Sequence, residues 1–329
     1  MATTETALAR EKFVEFVAPH RTELRAHCYR MTGSLQDADD LLQEALLRAW
    51  RGFAGFDGRA SPRTWLYKIT TNVCLDAFAQ RKREPRSLPE FLGPPGLGEF
   101  TEMVDEPIWL EPCPDSFLQV PPTPEARYSA RESVAFAFLV ALQTLPAKQR
   151  AVLIARDVLG FSAERAAEFL ELSVAAANSA LQRARETLDA RNEGWTASSK
   201  AAETEATKRS LQRYLEAWEA YDAEKFLTLL KEDVTLAMPP FHEWRKGARP
   251  VYELIADNAF RRYPSGAMRL VPTRANGLPG FAAYVRDAAG IFQGRAVHVL
   301  QLDQQGVATM HVFLDAAIVP CLGLPTSLP

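Results

Sequence analysis

FSAERAAEFLELSVAAANSALQRARETL, residues 161–188, decides how this chain is read. Two short helical patterns meet in it at a tight turn. Ser162 suits the N-cap of the first, since its hydroxyl can accept a backbone N–H that the first helical turn leaves unpaired. Ala166, Ala167 and Leu170 then recur on one side at helical spacing. Ser173 suits the N-cap of the second, which gathers Val174, Ala177 and Leu181 on one side and leaves Asn178, Gln182, Arg183 and Arg185 towards the other. This is the pattern of a helix-turn-helix, whose second helix enters a DNA major groove. An ordinary helical hairpin of an all-α domain has the same pattern, so the stretch alone leaves both readings open.

The rest of the chain narrows the choice. Its 329 residues suggest two or three domains, and 47% hydrophobic with 24% charged residues describe a folded protein. A net charge of −3 excludes a generic nucleic-acid coat protein, so any DNA contact needs local basic charge or a second protein that helps hold the DNA. Cys28, Cys74, Cys113 and Cys321 form no CxxC pair, which points to buried reduced thiols and to no metal or redox site. No cofactor is expected. The N-terminus lacks the apolar core of a signal peptide, and no apolar run is long enough to span a membrane, so a cytoplasmic location is expected.

Residues 10–31 read as one helix ended by Gly33. Ser34 then caps DADDLLQEALLRAW, with Asp37 in the capping-box position. Leu42, Ala45, Leu46 and Ala49 form an apolar face of that helix, whereas Asp40, Gln43, Glu44 and Leu47 share another. The second face is either solvated or an acidic docking surface. After a glycine-rich loop, Ser61 and Pro62 start a helix that runs to about Arg83. Arg63, Lys68, Arg81, Lys82 and Arg83 lie on it among Trp65, Tyr67 and Asn72, against the single acid Asp76. Bases stack on aromatic rings while Lys and Arg neutralise phosphates, so this helix can hold an opened strand. A normal amphipathic helix with buried aromatics reads the same way. Residues 85–125 are rich in proline and acids with Arg86 as their single base, and are expected to form an extended linker rather than a packed domain.

Taken in order, DADDLLQEALLRAW, RTWLYKITTNVCLDAF and LPAKQRAVLIARDVLGFSAERAAEFLELSVAAANSALQRAR resemble a bacterial RNA polymerase sigma factor of the extracytoplasmic-function class. The resemblance implies region 2 over residues 10–84, a connector over 85–125 that passes near the RNA exit path, and region 4 over 126–192. Core RNA polymerase, through its beta-prime clamp and beta flap, and promoter DNA are the implied partners. Asp37, Asp40, Gln43, Glu44 and Leu47 are the implied polymerase contacts. Arg63, Trp65, Lys68, Asn72, Asp76, Arg81 and Lys82 are the implied contacts to the −10 element, which this part of the family binds and melts. Ser173, Asn178, Ser179, Gln182, Arg183 and Arg185 are the implied contacts to the −35 element. The chain departs from the family pattern in carrying Asn178 and Ala180 where basic residues are usual, which implies weak −35 binding or an unusual −35 sequence. It also carries Glu171 where the turn often has glycine, a substitution that costs roughly 1 kcal/mol if the turn is left-handed.

Residues 205–329 are surplus to a minimal sigma factor. Two helices, a strand, a third helix and four further strands describe an α+β unit, read as helices packed on an antiparallel sheet. YLEAWEAYDAEKFLTLLKEDVTLAMPP resembles the SnoaL-like, nuclear-transport-factor-2-like cone. Such cones enclose a pocket, and Trp218, Met238, Trp244, Tyr284 and His311 are its candidate lining here, for a small ligand. No residue is assigned a catalytic role, because His298, His311 and Asp257 have no spacing that ties them together. The expectation is a regulatory domain acting in cis. The alternative is an isomerase- or hydrolase-like enzyme fused to a sigma factor.

Overall fold

Proline and serine positions set the first helices. In the computed structural model, which describes residues 2–80, 86–96, 108–117, 135–189 and 205–329, the helix expected over 10–31 is two. Helix α1 (Ala2–Val17) and α2 (Arg21–Thr32) are separated by a tight turn at Ala18–His20. Pro19 lies in that turn, and a proline has no N–H to continue the helical ladder. Gly33 closes α2 in the left-handed conformation, φ 72°. Ser34 Oγ accepts from Asp37 N at the start of α3 (Leu35–Gly52), whose Leu35, Ala38, Leu42, Ala45 and Ala49 are buried. Helix α4 (Pro62–Gln80) begins where Ser61 Oγ accepts from Thr64 N.

The chain divides into two units. Met1–Arg86 joins Gln119–Trp195, and Ser87–Leu118 joins Thr196–Pro329. The first unit is all-α. Its second half comprises α5 (Phe136–Thr144), α6 (Ala147–Leu153), α7 (Ala163–Phe169) and α8 (Val174–Asp189). Ser162 caps α7 by accepting from Arg165 N, and Ser173 caps α8 by accepting from Ala176 N. Glu171 between them does adopt a left-handed conformation, φ 56°.

The two helical halves meet at the C-terminus of α2. Backbone carbonyls in the last turn of a helix have no intrahelical partner and carry partial negative charge. Gln143 Nε2 donates to Arg30 O at 3.2 Å, and the Arg150 guanidinium donates to Met31 O. Arg150 also holds Gln143 Oε1 at 2.7 Å and the backbone oxygens of Gln143 and Leu145 at 2.8 and 3.1 Å. Burial lowers its pKa to about 10, which leaves it charged at neutral pH.

The second unit is α+β. Helices α9 (Glu205–Glu219), α10 (Ala223–Leu227) and α11 (Ala248–Ile255) accompany strands β1 (Leu230–Ala237), β2 (Trp244–Lys246), β3 (Met268–Ala275), β4 (Leu278–Arg286), β5 (Phe292–Asp303) and β6 (Gly306–Phe313). The strand order is β2-β1-β6-β5-β4-β3. β1 runs parallel to β6 and the other neighbours are antiparallel, so the sheet is mixed rather than wholly antiparallel. One sheet face packs Leu270, Phe281, Ala283, Leu300, Met310 and Val312 against Tyr214, Trp218, Phe226 and Phe260 from the helical side. The tail adds α12 (Ile318–Cys321) and β7 (Ser327–Leu328), which pairs with β5. The tail approaches so closely that a Cβ on Gly294 would meet Thr326 O at 3.2 Å.

The described parts of the segment read as a linker are not free. Leu88, Leu110, Cys113 and Phe117 are buried, and Ser87 N and Leu110 N bond across a two-stranded bridge. Asn276 ties Cys113 through both its backbone N–H and its Oδ1, each at 2.9 Å. Asp115 accepts from Arg274 Nε and from Gly277 N, both at 2.8 Å. Trp244 Nε1 donates to Gly93 O at 2.8 Å. The acidic composition misled because Glu90 and Asp115 have partners in the sheet domain, far away in sequence, while the apolar residues between them supply the buried surface.

Candidate polymerase and promoter interfaces

The acidic face of α3 borders a cleft of about 280 Å³, with Asp37, Asp40, Glu44 and Asp76 on its rim and Leu41, Val73, Ala77 and Phe78 among its lining. Asp40, Gln43 and Leu47 are exposed, Leu47 by 51% although it is apolar. Asp37 differs, since it is nearly buried and accepts from Arg86 Nη2 at 2.9 Å. Arg48 bridges Glu44 at 2.8 Å and Asp76 at 2.6 Å. Asp76, expected among the −10 contacts, therefore sits on the acidic rim in an ion pair with Arg48.

The other −10 candidates on α4 fall into three groups. Trp65 is half-buried in an aromatic cluster, its ring 5.9 Å from Phe16 and 5.1 Å from Phe56, so its principal contacts are core contacts. Periodicity placed Trp65 on the helix but did not reveal α1 behind it. Arg63 donates to Glu23 Oε2 at 2.9 Å, and its guanidinium lies 5.1 Å from the Tyr67 ring centre and 5.0 Å from that of Phe161. Lys68 pairs with Glu171 at 3.6 Å, and Arg165 Nη1 donates to Thr64 Oγ1 at 3.1 Å. The N-terminal half of α4 is thus covered by α7 and the turn that follows it. Asn72 is half-buried further along, and Arg81 and Lys82 lie outside the described residues.

On α8, Ala177, Ala180, Leu181 and Ala184 are buried, which turns Asn178, Ser179, Gln182, Arg183 and Arg185 outward. Ser173 is exposed at the cap. Arg185 is held by Asp157 at 2.9 and 2.6 Å.

Comparison with known proteins matches these two helical halves in the same order. A model of sigma-70 region 2 covers residues 16–84, and one of sigma-70 region 4 covers residues 135–188. The ECF RNA polymerase sigma factor SigG of Mycobacterium tuberculosis is 42% identical over 321 residues, 97% of this chain and 85% of the relative. The chain belongs to the extracytoplasmic-function sigma factors. SigW of Bacillus subtilis, of the same family, is 26% identical over 54% of this chain and 87% of its own. The crystal structure of SigJ from Mycobacterium tuberculosis shares the fold, with TM-score 0.57 and 22% identity over 93% of this sigma factor and 97% of that chain. Among the described residues, no helix is long and apolar enough to cross a membrane.

The five candidate pocket residues of the C-terminal domain do not gather. Trp218 and Met238 belong to the core under the helices. Side chains alternate between the faces of a strand, and Met310 and Val312 face that core, so His311 between them points to the other face. There His311 Nε2 donates to Glu90 Oε1 at 2.5 Å. Tyr284 likewise lies on the far face, where its hydroxyl donates to Pro325 O at 2.7 Å. Trp244 is at the sheet edge against Gly93. A polar group inside the core, not placed there by the sequence, is His298, whose Nδ1 is 3.0 Å from Tyr214 Oη.

Burial lowers the His298 pKa to about 4. The unfolded value is about 6.5, so the folded domain prefers the neutral ring. Stability from this group is complete above pH 6.5 and falls as the pH drops towards 4, by on the order of 3 kcal/mol over that window. We expect urea denaturation to show this loss. His298→Gln keeps an acceptor for Tyr214 and should flatten the part of the pH dependence that belongs to the C-terminal domain. An equally steep loss in the variant would assign it to other groups.

Proposed function

We propose that the exposed ridge Asp40–Gln43–Leu47, with Glu44 beside it, docks on a basic face of the polymerase clamp, that α4 binds the −10 element through Arg63, Lys68 and Asn72, and that α8 reads the −35 element. The observation that carries this reading is the ridge itself. An apolar side chain stands exposed among carboxylates, and Asp40 has no ion pair among the described residues. A basic partner with an apolar centre satisfies both features.

The C-terminal domain acts in cis by holding the connector. Region 2 and region 4 bind separated promoter elements, so the connector between them has to be extended in the active form. Its seat on Asn276, Arg274 and His311 opposes that extension. Run-off transcription with core polymerase, on promoters selected from genomic DNA, tests both parts. The full chain should give transcript, and Asp115→Ala, which unfastens Arg274 and Gly277, should give several-fold more. Failure to bind core polymerase would remove the sigma reading for this ridge. Unchanged transcript from Asp115→Ala would remove the holding role of the domain.

A further inference from the structure

The outward face of α8 carries no charge over its first nine residues, Val174–Gln182. Its buried side, Ala177, Ala180, Leu181 and Ala184, fixes the rotation of the helix. At 3.6 residues per turn the positions opposite are Ala175, Ser179 and Gln182, with Asn178 on their flank. All four are exposed. Recognition helices contact base edges with their N-terminal residues. Guanine is read mainly by Arg or Lys on its O6 and N7 acceptors, adenine by the paired donor and acceptor of Asn or Gln, and thymine by apolar contact with its methyl group.

No Arg or Lys stands on the reading half of α8. Arg183 and Arg185 begin beyond it, and Arg185 is engaged by Asp157. Gln182 donates one N–H to Glu186 Oε1 at 2.9 Å, which orients its amide and leaves the second N–H and the oxygen for a base. We propose that this helix selects a −35 element through A·T pairs: adenine opposite Asn178 and Gln182, and a thymine methyl against Ala175, with Arg183 on the backbone. The inference rests on the assignment of α8 to the −35 element and names the base class that it takes there.

The test is selection from a promoter library randomised across the −35 window, using holoenzyme made from the full chain and a bacterial core polymerase. Core association and dependence on the −10 sequence are recorded in the same samples. The expected result is enrichment of A·T pairs at the positions read, and in Asn178→Arg a change of one position from adenine to guanine, with preference altered on the order of tenfold. Gln182→Arg should move a neighbouring position in the same way. Enrichment of G·C pairs by the unsubstituted protein, no base preference in the window, or a preference that neither substitution moves would each overturn the proposal. Loss of core association or of −10 dependence in the unsubstituted protein would instead overturn the sigma assignment on which it rests, and the proposal with it.

Discussion

Asp40→Lys combined with Glu44→Lys is expected to abolish association with core RNA polymerase while the protein stays folded. Both side chains lie on the outer side of α3, and the buried positions of that helix are untouched. The fold loses only the exposed pair between Glu44 and Arg48, and such pairs contribute about 0–1 kcal/mol. The interface loses much more. Two attractive contacts become repulsive ones, and close charge pairs across interfaces couple by about 1.5–7 kcal/mol, so affinity should fall on the order of a hundredfold or beyond. Glu232→Lys with Asp233→Lys is the control, because these exposed residues of β1 give the same change in net charge in the other unit. Pull-down and fluorescence titration with core polymerase read the difference. Equal binding by both double variants would exclude the ridge as the docking surface, and equal loss in both would make the effect one of net charge.

Arg150→Met separates the two helical halves of the first unit. One buried guanidinium holds the carbonyls of Gln143, Leu145 and Met31 together with the Gln143 side chain. Replacing a buried charge by an apolar side chain of similar length removes a desolvation cost of several kcal/mol, which favours the variant. Three carbonyls then lose a charged donor, at about 1–3 kcal/mol each, and this term wins because they remain buried beside the apolar residue. A net loss of about 3 kcal/mol is expected in denaturant unfolding. Met31 O is the partner that belongs to region 2, so hydrogen exchange should rise at the end of α2 and along α6. The Thr64 and Arg63 side chains, covered by Arg165 and Phe161, should become accessible at the same time. Stability within about 1 kcal/mol of the parent, with unchanged exchange at α2, would show that Arg150 does not hold the halves together.

Ser34, Ser162 and Ser173 were recognisable as caps, and each accepts the expected backbone N–H. The apolar side of α3 was equally plain, as was the outward side of α8 that carries Asn178, Gln182, Arg183 and Arg185. All of these are set by residues three or four apart, and a helix brings such residues together by itself. The strands of the C-terminal domain were legible as strands for a similar local reason. Which face of each strand met the core was not, because β5 is buried almost throughout and so shows little alternation. Its second face meets the tail where Val319 lies over Gly294, and that of β6 meets Glu90 of the supposed linker, 221 positions from His311. The surroundings of Trp65 and Arg63 were illegible for the same reason. Their partners Phe16, Glu23 and Phe161 come from other helices, and no periodicity within α4 contains them. The sequence by itself determined most of the elements, their caps and the family of the chain, since those depend on short-range spacing and on motif order. Only the tertiary structure decided which charged and aromatic side chains remain free to meet a partner, because that depends on what distant segments cover.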